Sequence, residues 1–121
     1  MKYRLLNFIL CPKCKGFPLK LEYFRMEEYD RDVDIPKCDL YCGYTEKYIR
    51  DISDPPCSKC IRFEIIDGVL RCTRCGEYYP IIDTITIMHM DYLKPKKVLR
   101  RFTERYRDRL PKHIYRMWME D

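Results

Sequence analysis

Eight cysteines fall into four tight pairs: Cys11 and Cys14, Cys38 and Cys42, Cys57 and Cys60, Cys72 and Cys75. Three pairs enclose two residues and one encloses three. A tight turn at this spacing aims backbone N–H groups at the sulfurs and leaves both thiolates facing one tetrahedral ion, the arrangement of structural zinc sites. Gly43 and Gly76, each directly after a second cysteine, are expected to close their turns with a positive φ. One such pair alone could exchange disulfides, but four pairs without a βαβ pattern argue against redox chemistry. In the cytosol, the expected compartment here, paired cysteines serve as metal ligands more often than as a disulfide framework.

Spacing leaves the partnership of the pairs open. A nested arrangement joins the outer pairs across 57 residues and the inner pairs across 14, whereas a sequential one leaves gaps of 23 and 11. The usual gap, roughly 15 to 20 residues, comes nearest to the inner nested gap and decides nothing about the outer one. In the nested arrangement Cys11, Cys14, Cys72 and Cys75 would form a first zinc site, and Cys38, Cys42, Cys57 and Cys60 either a second site or disulfides. A structural zinc is worth about 10–16 kcal/mol of folding and a disulfide about 2–4 kcal/mol, so metal is the stronger organiser of so small a chain. Iron in a four-thiolate cage is chemically allowed at either place. The expected cofactor is one or two zinc ions.

No catalytic set accompanies the cysteines. His89 and His113 are the only histidines and neither neighbours a candidate nucleophile; four glycines provide no phosphate loop. A four-thiolate zinc has no open position for water. The expectation is a non-enzyme.

The elements that must hold the cysteines are short. Met1-Lys2-Tyr3-Arg4 before Leu5 to Leu10 imitates a signal peptide, but Asn7 interrupts the apolar run and Cys11 follows at once, so a core strand is expected. Phe17 to Tyr23, with Leu19, Leu21 and Tyr23 alternating, predicts a second strand. Phe63 to Ile66, Asp67-Gly68 and Val69 to Cys72 read as a hairpin with a two-residue turn. Tyr78 to Met88 is a further extended run with Pro80 at a start or edge. Residues 24–60, including the acidic stretch from Met26 to Pro36, look like an insertion. The last segment is helical by pattern: Leu99, Phe102, Tyr106 and Leu110 form one stripe from about Lys96 to Leu110, and Pro111 ends that helix or starts another carrying Ile114, Tyr115 and Trp118. That stripe is expected to pack on the rest of the protein. The architecture expected is small α+β: a discontinuous zinc-ribbon-like antiparallel sheet from residues 1–23 and 61–93, an inserted four-cysteine module at 24–60, and a basic helical extension at 94–121.

The chain has 121 residues, 24 basic and 19 acidic, for a net charge of +5. Its mean hydropathy is −0.52, with no apolar run long enough to span a membrane, so a soluble, cytoplasmic protein is expected. The charge is uneven: +5 over residues 1–21, −4 over 22–60, −2 over 61–93 and +6 over 94–121. Arg100, Arg101, Arg105, Arg107 and Arg109 flank the helical stripe and are candidate RNA contacts, against the plainer reading of a solvated face.

Several segments together carry a resemblance. Met1-Lys2, Asn7 through Pro12, Phe17-Pro18-Leu19-Lys20-Leu21-Glu22, Asp67-Gly68-Val69-Leu70-Arg71-Cys72 and Cys75-Gly76-Glu77-Tyr78-Tyr79-Pro80-Ile81-Ile82-Asp83 are similar to the zinc-ribbon activator subunit of S-adenosylmethionine-dependent methyltransferases, over about half the chain. The resemblance implies a subunit without activity of its own that clasps, solubilises and activates a class I methyltransferase as a heterodimer, with clients acting on tRNA, rRNA or a release factor. It also implies nested pairing of the cysteines, and edge-strand addition to the methyltransferase sheet through Tyr79, Pro80, Ile81, Ile82, Asp83, Thr84, Ile85, Thr86, Ile87 and Met88. The residues agree in one respect: Ile81, Ile82, Ile85 and Ile87 on an edge would invite aggregation unless covered. Asp83-Thr84-Ile85-Thr86 departs from the family's common Asp-Gly-Ile-Pro, losing a turn-permissive glycine but freeing an N–H at Thr86. The four-cysteine insert and the basic tail are departures too. An independent zinc-ribbon nucleic-acid-binding protein is the alternative function.

Overall fold

A computed structural model describes residues 1–30, 35–88 and 96–120. His89 and residues 31–34 of the acidic stretch lie outside them. A four-stranded antiparallel sheet of order β1-β4-β5-β6 carries the architecture: β1 Lys20–Glu28, β4 Phe63–Arg71, β5 Tyr78–Ile82 and β6 Ile85–Thr86. A separate pair, β2 Tyr41–Cys42 and β3 Lys47–Tyr48, and a one-turn helix α1, Cys57–Cys60, lie between β1 and β4. Two helices, α2 Lys97–Arg105 and α3 Lys112–Met119, end the chain.

Leu5 to Leu10 does not form the expected strand. Residues Tyr3–Asn7 are a 3-10 helix. Tyr3, Leu6 and Asn7 point inward, while Phe8 and Leu10 are exposed, a three-residue period that fits the tighter helix. The Met1 ammonium donates to the Ile65 and Thr84 carbonyls, each at 2.8 Å, and pairs with Glu64 at 2.9 Å. Asn7 is buried because its Oδ1 accepts the N–H groups of Leu40 and Tyr41 at 3.0 and 2.8 Å.

Nor do residues 63–72 turn at Asp67-Gly68. Phe63–Arg71 form one nine-residue strand in which Gly68 permits close approach: a Cβ there would lie 2.6 Å from the Glu22 carbonyl oxygen in β1. This is the other meaning of glycine inside a strand. Beside it β1 and β4 each carry an extra residue. Tyr23 pairs with Gly68, Arg25 with Asp67 and Met26 with Ile65, leaving Phe24 and Ile66 unmatched. The shift changes phase, so Phe24 packs under the C-terminal helices while Met26 returns to the main core. β1 also runs past Tyr23 to Glu28, so the sheet extends into the segment read as insertion.

Tyr78 to Met88 is folded back on itself. β5 and β6 form a hairpin closed by Asp83-Thr84, with φ of 49° and 74°, positive at both central residues as a tight hairpin needs. A β-branched threonine is strained there, and three hydrogen bonds hold the turn. Thr84 N–H donates to Ile66 O at 2.8 Å, Thr84 O accepts the Met1 ammonium, and Asp83 N–H donates to Asp67 Oδ1 at 3.0 Å.

Two apolar clusters result. The main one joins Met1, Tyr3, Leu6, Leu19, Ile65, Leu70, Tyr79 and Ile81 with Tyr41 and Cys60 of the insert. The second lies between the sheet and the C-terminal helices: Val69, Leu99, Phe102, Leu110, Ile114 and Trp118, with Phe24, Tyr78, Ile82, Ile87 and Tyr106 at its margin. The helical stripe thus packs on the sheet, as expected. α2 stops at Arg105; a 3-10 turn, Arg107–Arg109, follows, and Pro111 stands just before α3. The Tyr106 hydroxyl donates to buried Asp67, tying this break to β4.

Candidate metal centre and partner edge

Lys20, at the start of β1, pairs with Arg71, at the end of β4. That register brings the loop of Cys11 and Cys14 against the loop of Cys72 and Cys75. All four sulfurs lie within 4.8 Å of one another, with Cys11 to Cys75 at 3.6 Å and Cys14 to Cys72 at 3.4 Å. A tetrahedron of ~2.3 Å metal–sulfur bonds has edges of about 3.8 Å, so the four thiols fit one ion of the zinc or iron class.

The two knuckles repeat one geometry. Lys15 N–H donates to Cys11 O at 2.7 Å and Gly76 N–H to Cys72 O at 2.9 Å. The residue after each second cysteine has a positive φ, 63° at Lys15 and 83° at Gly76. Lys15 therefore fills the role the sequence suggests only for glycine. Gly43 does not: a Cβ there would lie 2.6 Å from the Tyr3 carbonyl oxygen, so it serves close packing instead. Gly16 leaves room for the cage, since a Cβ would lie 2.9 Å from Cys72 Sγ and 3.2 Å from Cys14 Sγ.

Two of the four thiols are shifted toward the thiolate and two away from it. Burial pushes the Cys11 thiol up, but the Tyr79 hydroxyl at 3.1 Å and the N–H groups of Cys14 and Lys13 outweigh it and bring the pKa down to about 6. Cys72 is likewise lowered against the effect of burial, chiefly by the Cys75 N–H. Cys14 is raised by burial and by its neighbour Cys72. At Cys75 the Glu77 N–H favours the thiolate, yet desolvation and the other three sulfurs hold the pKa up at about 12. Four thiolates in this space need a positive ion among them.

Tyr79 was expected on the partner surface. It is buried, and its hydroxyl reaches Cys11 Sγ, making it a positioning residue of the cage. Its only sequence signal is a place in a strand that leaves the second knuckle.

The inner cysteines are arranged otherwise. Cys42 lies in β2, Cys57 and Cys60 at the two ends of α1, and Cys38 in the preceding coil. Burial first, then the charges of Cys42, Cys38 and Cys57, push Cys60 up to about 12, so the four share one neighbourhood. Among the described residues, however, only the outer four come within reach of one ion.

The segment 79–88 divides into three parts. Tyr79, Pro80 and Ile81 are buried in β5, which has β4 on one side and β6 on the other; they are interior rather than an open edge. Asp83 and Thr84 make the turn. Ile82, Ile87 and Met88 are half-buried against the two clusters, while Ile85 is 64% exposed. Among the described residues no strand pairs with the outer side of β6. Ile82 and Ile85 flank the two-residue turn and Ile87 N–H donates to Pro80 O at 2.9 Å. Antiparallel alternation then turns the N–H and C=O of Thr86 outward.

The basic residues do not form one patch. Arg107 pairs with Glu104 at 3.1 Å. Arg109 donates to Tyr23 O at 3.2 Å and lies 4.8 Å above the Phe24 ring. Arg100 is half-buried; Arg101 and Arg105 are exposed along a groove beside Asp67 and the β5–β6 turn. His113 is exposed, edge-on to Tyr78. No helix among the described residues is long and apolar enough to cross a membrane.

No curated protein matches the chain. Among solved structures it is similar to a chain of the E. cuniculi Mtq2-Trm112 complex, described as responsible for methylation of the eRF1 translation termination factor. The identity is 24%, the TM-score 0.53, and the match covers 73% of this chain and 94% of that one, so a fold is shared. The model of the Trm112p family, described as Trm112p-like protein, matches residues 2–83, which hold β1 to β5 and both knuckles of the cage. By that match over more than half its length, the chain belongs to the Trm112p-like family.

Proposed function

We propose that this protein is a non-catalytic activating and stabilising subunit of class I methyltransferases acting on tRNA, rRNA or a translation release factor. Family membership supports the assignment, as does the likeness to a chain from a complex with Mtq2. The carrying observation is the open edge of β6. It presents the outward N–H and C=O of Thr86 beside exposed Ile85, and Thr86 Oγ1 is buried without a hydrogen-bond partner among the described residues. A partner strand added here would satisfy the backbone and cover the isoleucine. Residues Ile85 to Met88 are then the docking edge, with Tyr79 to Ile81 holding it from within.

Zinc is the proposed resident ion of Cys11, Cys14, Cys72 and Cys75, tying β1 to β4 and keeping the hairpin in place. Cys38, Cys42, Cys57 and Cys60 belong to the inserted module, whose second ion or disulfides would act on that module rather than on the edge. Family membership does not favour the stand-alone nucleic-acid-binding alternative.

Co-expression tests the assignment. Candidate methyltransferases should become soluble and active with this chain, and Ile85→Asp should abolish the gain while the variant keeps its metal. Methyl transfer that is indifferent to the chain across all candidates would overturn the proposal.

A further inference from the structure

The tail lies beyond the family match, which ends at residue 83. Its apolar stripe is spent on the sheet, since Leu99, Phe102, Leu110, Ile114 and Trp118 are all buried there. What remains outside is cationic: over residues 96–120, eight lysines and arginines are exposed against Glu104, Asp108 and Glu120. Glu104 is already engaged by Arg107 and by the Tyr115 hydroxyl.

Two grooves run along this surface. One, of about 230 Å³, is walled by Arg25 of β1 and by Arg101 and Arg105, one turn apart on α2. Asp67 and Asp83 also line it, but Asp67 is buried and accepts both the Tyr106 hydroxyl and the Asp83 N–H. Ile82 and the exposed Asp83, at the start of the hairpin that ends in β6, line it too, so three arginines face one exposed carboxylate. The second groove, of about 310 Å³, is lined by Arg107, Lys112 and Arg116 with Asp108, Leu110 and Tyr115, three cations against one carboxylate. A lone carboxylate would engage one such site. Repeated cationic grooves along two helices suit a polyanion with regularly spaced charges.

We propose that Arg25, Arg101 and Arg105 form a phosphate-binding groove that holds an RNA backbone beside the docked methyltransferase. The position beside the partner rests on the methyltransferase assignment; the RNA contact itself belongs to the chain alone. The tail would add electrostatic affinity, and the enzyme would read the sequence.

Binding of a fluorescently labelled tRNA transcript to the full chain, followed by anisotropy between about 50 and 200 mM salt, tests this. Arg101→Glu with Arg105→Glu should weaken binding at least tenfold at the low-salt end and reduce the log–log salt slope by about 1.4 to 1.8, at roughly 0.7 to 0.9 for each of two phosphate contacts. Lys37→Glu with Lys59→Glu makes the same charge change at exposed positions of the insert and should leave binding within about twofold, if contacts rather than net charge decide. Equal weakening by the two double variants, or none by the first, would overturn the proposal. Displacement of the RNA by a poly-glutamate peptide at matched charge concentration would overturn it in favour of an acidic protein segment. Because the free chain is measured, failure here leaves methyltransferase activation standing, and failure of activation leaves the RNA result readable.

Discussion

The outer cysteine pairs hang from the same end of one antiparallel ladder, Cys14 ahead of β1 and Cys72 directly after β4, with Lys20 and Arg71 paired beneath them. The inner pairs have nearly the same local spacing but hang from a coil, a two-residue strand and a single helical turn. No ladder joins β2–β3 to α1 among the described residues. The outer sulfurs converge within 4.8 Å and the inner ones do not. Spacing within a pair decides whether two sulfurs can face one ion; strand register decides which pairs meet.

The largest expected asymmetry is in folding. Cys72→Ser should lose the metal and the folded state, since a structural zinc contributes about 10–16 kcal/mol. Cys42→Ser should stay folded, as circular dichroism with metal analysis would reveal; equal collapse of both variants would erase the distinction. Tyr79→Phe should come next, weakening metal binding by roughly 10- to 100-fold through loss of the hydroxyl on Cys11, measured by chelator competition. Gly16→Ala crowds Cys72 Sγ and Cys14 Sγ and should cost about 1–3 kcal/mol in denaturant unfolding. Asn7→Ala leaves the Leu40 and Tyr41 N–H groups without their acceptor, at about 1–3 kcal/mol. It should speed alkylation of Cys38 and Cys42 while sparing the outer thiols; uniform acceleration at all eight would show that the two regions are one unit.

Much of this was legible beforehand. The cysteine pairs, the sheet-and-helices class and the packed tail stripe follow from spacing and period, and the meeting of the two outer pairs followed from the family resemblance. The misreadings share a cause: one residue type can meet two different needs. Asp67-Gly68 has the composition of a tight turn, but the close approach of β1 and a buried carboxylate serving Tyr106 and Asp83 put it mid-strand. Leu5 to Leu10 has a strand's composition, but Asn7 is needed inside as an acceptor for the insert, which selects a three-residue period. Asp83-Thr84 lacks the glycine that marks a hairpin, and long-range hydrogen bonds to Ile66, Asp67 and Met1 supply what local preference does not. The role of Tyr79 depends on a contact across 68 positions, which no local pattern encodes.

Native mass spectrometry of the protein purified from its own cells under gentle conditions tests the central claim most directly. The expected species is one copy of this chain with one methyltransferase and at least one zinc ion, the outer thiols protected from alkylation. Recovery of the chain alone in repeated preparations, or with partners that include no methyltransferase, would contradict the account.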